Sequence, residues 1–424
     1  MKRFPRILLF IVAVAVLGWF LPWLYALCFP GPSGEPFCSF SPVSGKWVVT
    51  KSQPGAQAVI TEVERADSLG NILEGSVLTR EQRDSLVPQL FYKELLAHDR
   101  LPDTIAGMEV NAHTLRTHEL MLQASPRDYL KRTAGVWMMM ESMPERVELS
   151  DPKEVFRFTP DGGIEFVDMT TNSVVPGRSR RFTEHLRSRH FAFPATDLSA
   201  NITSRKPYDE GYLMIDSNGK LFHVKQRAGR PYAEPILLPS GKKALKAYIT
   251  EGADRSVLGF VVDTDGGFYL IDRTEGYRPI NVPLDFKVDP SKHTILCMGS
   301  LFGFTFRFSD PDGVSKWRAV RRSPVGYGLD LLGSYDFVRP RTAASKVADY
   351  IFPYVLSFTS TNDSLAYPRI TRLSAYALWL NAVMALIVFF LPVGDPKASK
   401  PWCVSILTLI CGIYAFIPAL ILRK

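Results

Sequence analysis

The chain has 424 residues, 22% of them charged, and carries a net charge of +8. That excess is modest for the length and partly flanks apolar runs, so it excludes the broad basic surface of a nucleic-acid binder. The most apolar stretches lie at the two ends, with about 340 residues of ordinary globular composition between them.

Residues 1–6 are basic, with Lys2, Arg3 and Arg6 directly before the apolar run Ile7–Phe29. The run is about as long as a bilayer-crossing helix, and the positive-inside rule puts its start in the cytoplasm. Basic-then-apolar also describes a signal peptide. However, Ala26-Leu27-Cys28 places a bulky Leu where a cleavage site needs a small residue, so 7–29 reads as an uncleaved transmembrane anchor. Trp19, Trp23 and Tyr25 read as an outer interfacial belt. The reverse orientation, with the large domain in the cytoplasm, stays open.

Residues 30–78 read as a Pro/Gly-rich linker and a first strand near Phe40–Thr50. Cys28 and Cys38 flank its start, a spacing open to a disulfide in an oxidising compartment. From 79 to 150 the pattern turns helical, broken by Pro88, Pro102 and Pro126; Leu115 and Leu120–Leu122 fall in this stretch.

Residues 151–372 read as β-rich, and they contain a repeat. Gly211-Tyr-Leu-Met-Ile-Asp-Ser-Asn-Gly219 aligns with Gly259-Phe-Val-Val-Asp-Thr-Asp-Gly266 and with Gly303-Phe-Thr-Phe-Arg-Phe-Ser-Asp-Pro-Asp-Gly313. A looser copy surrounds Gly162. Each reads as a β-hairpin whose turn glycine needs a positive φ. The last three glycines are 47 residues apart both times. Units of about 45 residues match a propeller blade, although a sandwich of similar hairpins fits the same pattern. Strands from Phe40–Thr50 or Ile351–Thr359 are candidates to complete a ring. Residues 373–422 read as a transmembrane hairpin, Leu373–Val393 and Trp402–Leu422, turning near Lys397 and Lys400.

Few residues suggest chemistry. His113/His118 and His185/His190 are five apart, whereas a zinc helix uses four with a glutamate between. The three Ser-x-x-Lys matches, starting at Ser150, Ser217 and Ser240, lie in turns. Asp263, Asp265 and Asp272 around Gly266 supply the oxygens a calcium ion takes, but aspartates at a hairpin turn also cap their own backbone. Arg178, Arg180, Arg181, Arg187 and Arg189 read either as a contact for anionic headgroups or an acidic partner, or as a solvated loop. Asn381, Ser405, Thr408 and Gly412 are polar or small positions in the C-terminal spans; they would satisfy one another or dock a partner helix. No cofactor is indicated.

Arg100-Leu-Pro-Asp-Thr-Ile-Ala-Gly107, Glu141-Ser-Met-Pro-Glu-Arg-Val-Glu-Leu149 leading into Glu154-Val-Phe-Arg157, Phe40-Ser-Pro-Val-Ser44 and the hairpin at 211 resemble an uncharacterised family of membrane-anchored proteins from Bacteroides-type bacteria. The resemblance covers most of the chain. It implies an envelope protein working beside a transporter and carries no functional residues across.

The expectation is a mainly β, membrane-anchored protein with propeller-like repeated hairpins and three transmembrane helices, one N-terminal and two C-terminal. It would be multi-pass in a bacterial inner membrane, with its large domain in the periplasm. Its role would be that of a non-enzymatic interaction or accessory protein of a transport complex, in contact with another integral membrane protein. The alternative is an envelope hydrolase or glycan-processing enzyme with carboxylates from several blades. A funnel on the propeller axis lined by several carboxylates with raised pKa favours the enzyme, and an apolar or basic rim favours binding.

Overall fold

The computed structural model describes residues 3–30, 34–53, 56–131, 134–144, 148–274, 276–360, 363, 365–390 and 401–421. They divide into two units, one of Met1–Gly34 with Arg339–Lys424 and one of Glu35–Val338. The first unit begins with α1 (Arg3–Cys28). Its apolar residues run all round the helix and are mostly exposed, which suits a lipid environment better than a core. Of the described helices, only this one, over Ile7–Cys28, is long and apolar enough to cross a membrane.

The second unit opens with a four-stranded meander, β1 (Phe37–Phe40), β2 (Trp47–Gln53), β3 (Ala56–Ala66) and β4 (Ile72–Leu78). Next come α2 (Arg80–Leu86), α3 (Pro88–Ala97), the small hairpin β5 (Thr104–Ile105) and β6 (Met108–Glu109), α4 (Ala112–Thr117), β7 (Leu120–Ala124) and α5 (Pro126–Leu130). The region expected to be helical is therefore mixed. Reciprocal capping boxes explain its short helices: Thr79 with Gln82 starts α2, and Asn111 with Thr114 starts α4. Leu120–Leu122 are strand, not helix, because the burial of β7 alternates and its backbone pairs with a strand far along the chain.

Three more meanders follow. The first is β8 (Trp137–Met138), β9 (Glu154–Thr159), β10 (Gly163–Asp168) and β11 (Ser173–Val174), after which α6 spans Pro176–Ser188. The second is β12 (Asp197–Ser199), β13 (Tyr212–Ile215), β14 (Leu221–Arg227) and β15 (Arg230–Ile236). The third is β16 (Ala244–Ile249), β17 (Val257–Asp263), β18 (Phe268–Asp272) and β19 (Arg278–Asn281). The last sheet has β20 (Thr294–Ser300), β21 (Gly303–Ser309), β22 (Val314–Arg322) and β23 (Leu329–Val338), with β7 added along β20.

The four repeats are the hairpins β9–β10, β13–β14, β17–β18 and β21–β22. Gly162, Gly219, Gly266 and Gly313 sit at φ +81°, +80°, +86° and +85°, a region that costs any residue with a Cβ. One device fixes the later turns. Asp216, Asp263 and Asp310 each accept a backbone N–H from within the loop: Asp216 from Asn218 and Lys220, Asp263 from Asp265 and Gly267, Asp310 from Val314.

Strand faces explain the packing. Tyr212 and Met214 of β13 point toward Phe156 and Phe166 of the preceding sheet, while Leu213 and Ile215 point the other way toward Leu258 and Val261. All four are buried, so β13 reads as an unbroken apolar run. Phe260 and Phe268 then meet Phe306 of the last sheet. That sheet's Trp317 and Tyr335 share a cluster with Cys38 and Trp47 of the first. Each such aromatic contributes roughly 1.5–3 kcal/mol by burial. The strands near Phe40–Thr50 thus join the repeat series by packing on its last member. Cys28 and Cys38 are both free thiols, and Cys38 lies inside this cluster.

The first unit resumes with α7 (Ala343–Ile351), β24 (Tyr354–Ser357), β25 (Arg369–Leu373), α8 (Ala377–Phe390), α9 (Pro401–Cys411) and α10 (Ile413–Ile421). Two expectations change here. Residues Ile351–Thr359 do not extend the repeats, because β24 pairs with β25. The expected spans are also redrawn: Leu373 ends a strand, and Gly412 at φ +56° separates α9 from α10. Lys397 and Lys400 lie outside the described residues.

Candidate functional site

A cleft of about 630 Å³ lies at the ends of the β16–β19 and β20–β23 sheets away from the Gly266 and Gly313 turns. The Ser300–Gly303 turn supplies an apolar wall through Leu301 and Phe302, continued by Phe304, Met108 and Leu120. Its polar lining comes from Asp254, Ser256, Thr274, His118, Arg321 and Arg322. The size falls within the range of small-molecule sites.

The hydroxyls and the carboxylate are already committed. Ser256 Oγ donates to Asp254 Oδ2 at 2.6 Å, and Ser300 Oγ donates to the Gly303 carbonyl at 3.2 Å. Thr274 Oγ1 donates to Asp272 Oδ1 at 2.6 Å. Asp272, itself almost fully buried, also pairs with Nη1 of Arg322. Nη2 of Arg322 is buried and has no acceptor among the described residues. Arg321 is exposed and makes no ion pair among them. His118 Nδ1 stands 2.9 Å from the Thr114 carbonyl, which can only accept, so this nitrogen carries the proton and Nε2 is left over. The charged groups of the lining are thus two guanidiniums, Arg321 and Arg322, and one carboxylate, Asp254, with Asp272 behind Arg322.

A second polar centre is buried between sheets. Lys206 Nζ bonds Asp209 at 2.7 Å and Glu251 at 2.6 Å, while Glu210 receives both Lys225, at 2.6 Å, and Arg273. Three cations face three carboxylates. Burial works to raise the Glu210 pKa, but the Lys225 hydrogen bond and charge, with Arg273, hold it below the ordinary carboxylate range. His223, wholly buried, bonds the Glu210 carbonyl through Nε2 at 2.6 Å; burial first, then the Lys225 charge, pulls its pKa down to about 3. A balanced, enclosed network of this kind fixes the 201–211 segment and leaves no charge over for a ligand.

The sequence candidates separate. Asp263, Asp265 and Asp272 are not brought together. Asp263 is spent on its own turn and on Tyr269 Oη, Asp265 pairs with Lys242 at 2.5 Å, and Asp272 lies at the far end of β18, opposite Val257. Among the described residues no cluster of three metal-ligating side chains occurs. The arginine-rich stretch is a helix rather than a loop, because Pro176 occupies its first turn and Phe182 and Leu186, four apart, bury against the β8–β11 sheet. Arg178 pairs with Glu154 and lies over Phe166, Arg187 donates to the Gly162 carbonyl, and Arg189 pairs with Glu234 at 3.2 Å. Arg180 and Arg181 remain exposed.

In the C-terminal helices Asn381 and Thr408 bond backbone carbonyls. Asn381 Nδ2 donates to the Leu409 carbonyl at 3.1 Å and Thr408 Oγ1 to the Val404 carbonyl at 2.8 Å; Ser405 is buried. A Cβ on Gly412 would come within 2.2 Å of Asn381 Oδ1, so the glycine is there to admit the amide. Arg321, Arg322 and Glu210 were not singled out from sequence. A pair of arginines closing an apolar strand just before Ser323-Pro324 was the available signal for the cleft.

The fold defines a mainly β protein of consecutive antiparallel sheets preceded by an apolar helix. Residues 37–317, from β1 into β22, match a domain of unknown function, DUF4857, and the chain belongs to that family. No curated protein matches the chain.

Proposed function

We propose that the protein is a membrane-anchored interaction or accessory protein that works by binding rather than by catalysis. The lining of the main cleft carries this reading: apolar walls with Arg321 and Arg322, and a single carboxylate, Asp254, tied to its own Ser256. A glycan hydrolase needs a carboxyl held protonated. Glu141, Glu210 and Asp285, by contrast, are held below the ordinary range, because hydrogen bonds and cations outweigh burial.

In this reading α1 is the anchor, and the apolar helices α8 and α9–α10 add two more passes in a bacterial inner membrane. The sheets, stacked in series, form a propeller-like body on the periplasmic side. The basic contact expected on α6 narrows to Arg180 and Arg181. The partner would be another integral membrane protein, such as a component of a transport complex. Affinity purification of the tagged full chain from detergent-solubilised membranes, quantified by mass spectrometry, should enrich such a protein reproducibly over a control bait with the same number of spans. Enrichment no different from the control would refute the reading.

A further inference from the structure

We infer that α7 and the β24–β25 hairpin form a collar that lies in the headgroup layer of the leaflet at the C-terminal end of α1 and prefers anionic lipid there. This rests on α1 being the membrane anchor and adds the lipid surface that the first unit contacts. The collar is fastened to the stretch of α1 that holds the aromatic belt. Tyr25 Oη donates to the Ala344 carbonyl at 2.8 Å, and the Trp19 ring lies 6.2 Å from that of Phe358. Gly18 leaves room for Tyr354, whose Cε2 would be 3.1 Å from an added Cβ. Headgroups surround a spanning helix at the level of such a belt. What the collar turns outward is apolar. Val347 and Tyr350 share the exposed face of α7 with Lys346, while Asp349 is buried. Tyr376 continues that face, its ring 5.4 Å from that of Tyr350, and Tyr367, Ile370 and Leu373 stand exposed on and beside β25. These six side chains are between 47% and 76% exposed, and in water such a surface favours association. Full insertion among acyl chains is unfavourable too, because each strand of a two-stranded sheet leaves one backbone edge without a ladder. The headgroup layer wets those edges and still covers tyrosine and leucine. Charge points the same way. Residues 339–376 carry five basic side chains against two carboxylates, Asp349 and Asp363. Arg372 and, at 3.6 Å, Arg341 meet Asp349, and Arg369 meets Asp363 at 2.6 Å, so the charge left over is positive. Exposed Lys346 makes no ion pair among the described residues. A surplus of this sign beside a bilayer attracts anionic headgroups.

The test is electron paramagnetic resonance on the full chain in nanodiscs of equal parts phosphatidylcholine and phosphatidylglycerol. With Cys28, Cys403 and Cys411 changed to serine, one spin label at a time is placed at Val347→Cys, Leu373→Cys, Val12→Cys or Asn218→Cys. Oxygen, which concentrates in the bilayer, and a water-soluble nickel chelate then report depth. Val12→Cys, near the middle of α1, should meet oxygen, and Asn218→Cys should meet the chelate. Val347→Cys and Leu373→Cys should fall between them. At either collar position, chelate access equal to that at Asn218→Cys puts the collar in water. Oxygen access equal to that at Val12→Cys puts it among acyl chains, and shielding from both reagents puts it under protein. Each of these results overturns the assignment. Spin-labelled phosphatidylglycerol should also be held at the protein at least about twofold more than spin-labelled phosphatidylcholine. Lys2, Arg3 and Arg6 attract the same lipid at the other end of α1, so the deciding figure is the fall of that ratio in an Arg341→Gln, Lys346→Gln double variant. An unchanged ratio overturns the preference for anionic lipid. If Val12→Cys meets only the chelate, the anchor falls and the collar with it. If Val12→Cys lies in the bilayer and the collar does not reach it, only the collar falls. If the collar lies in the headgroup layer and no membrane partner is recovered, only the accessory role falls.

Discussion

Lys225 Nζ sits 2.6 Å from Glu210 Oε2, with both side chains about 4% exposed, and the same carboxylate also receives Arg273. One anion therefore compensates two cations in a place water scarcely reaches. Removing it leaves both uncompensated. Glu210→Gln should cost roughly 3–5 kcal/mol, measured by denaturant unfolding of the full chain in detergent. A Glu210→Leu, Lys225→Met double variant should recover part of that loss. A single variant as stable as the parent would show that the network does not hold the 201–211 segment.

His223 makes stability depend on pH. Its folded pKa of about 3 lies below the ordinary 6.5, chiefly through burial and then through the Lys225 charge. The unfolded chain therefore takes up a proton first as pH falls. The contribution is complete above about pH 6.5 and is lost on acidification, by roughly 2 kcal/mol at pH 5. His185 and His293 are also lowered, mainly by burial, and add to the same trend. Comparing unfolding at pH 7.5 and pH 5 in the parent and in His223→Gln isolates the one residue. The variant should show a visibly shallower dependence, and identical slopes would count against a neutral buried imidazole.

Gly266 combines a positive φ with a close neighbour, since an added Cβ would lie 2.7 Å from that of Lys287. Gly241 has nearly the same φ, +80°, with nothing within 4 Å. Gly241→Ala thus reports backbone strain alone, on the order of 1 kcal/mol, and Gly266→Ala should exceed it. Gly266→Val should lose about 1–3 kcal/mol or more. Equal melting temperatures for Gly266→Ala and Gly241→Ala would mean that the hairpin does not press on Lys287.

The proposed orientation can be read directly. Asn218 is exposed in the β13–β14 turn, and Cys28 and Cys403 are the exposed native thiols among the described residues. With Cys28 and Cys403 changed to serine, Asn218→Cys should react with a membrane-impermeant maleimide in intact spheroplasts. Reaction only after lysis would place the sheets in the cytoplasm.

The hairpins were legible because their signal is local: an Asp or Asn, a glycine forced to positive φ, and apolar runs on both sides fall within a dozen residues. The buried ionic network was not, because Glu210 and Arg273 are 63 residues apart and nothing at either position announces the other. His223 and Lys225 did leave a faint mark as two polar residues on one face of the apolar strand β14. The helix α6 was obscured by its arginines, although Phe182 and Leu186 had helical spacing. Likewise β7 was lost to a leucine-rich appearance, since its pairing with β20 is set by tertiary contact alone. The cleft sits where the ends of two sheets, a strand borrowed from earlier in the chain and a helix terminus converge. No window of sequence contains it.

The packing of the first sheet on the last also has a meaning in time. Trp47 leaves the ribosome long before Trp317 and Tyr335, which cover it. At roughly 5–20 residues per second the wait is tens of seconds. Throughout it, the apolar face of the first meander has no permanent cover. A holding chaperone or the membrane surface itself would have to shield that face during synthesis. The chain's earliest strands are among the last to reach their final surroundings.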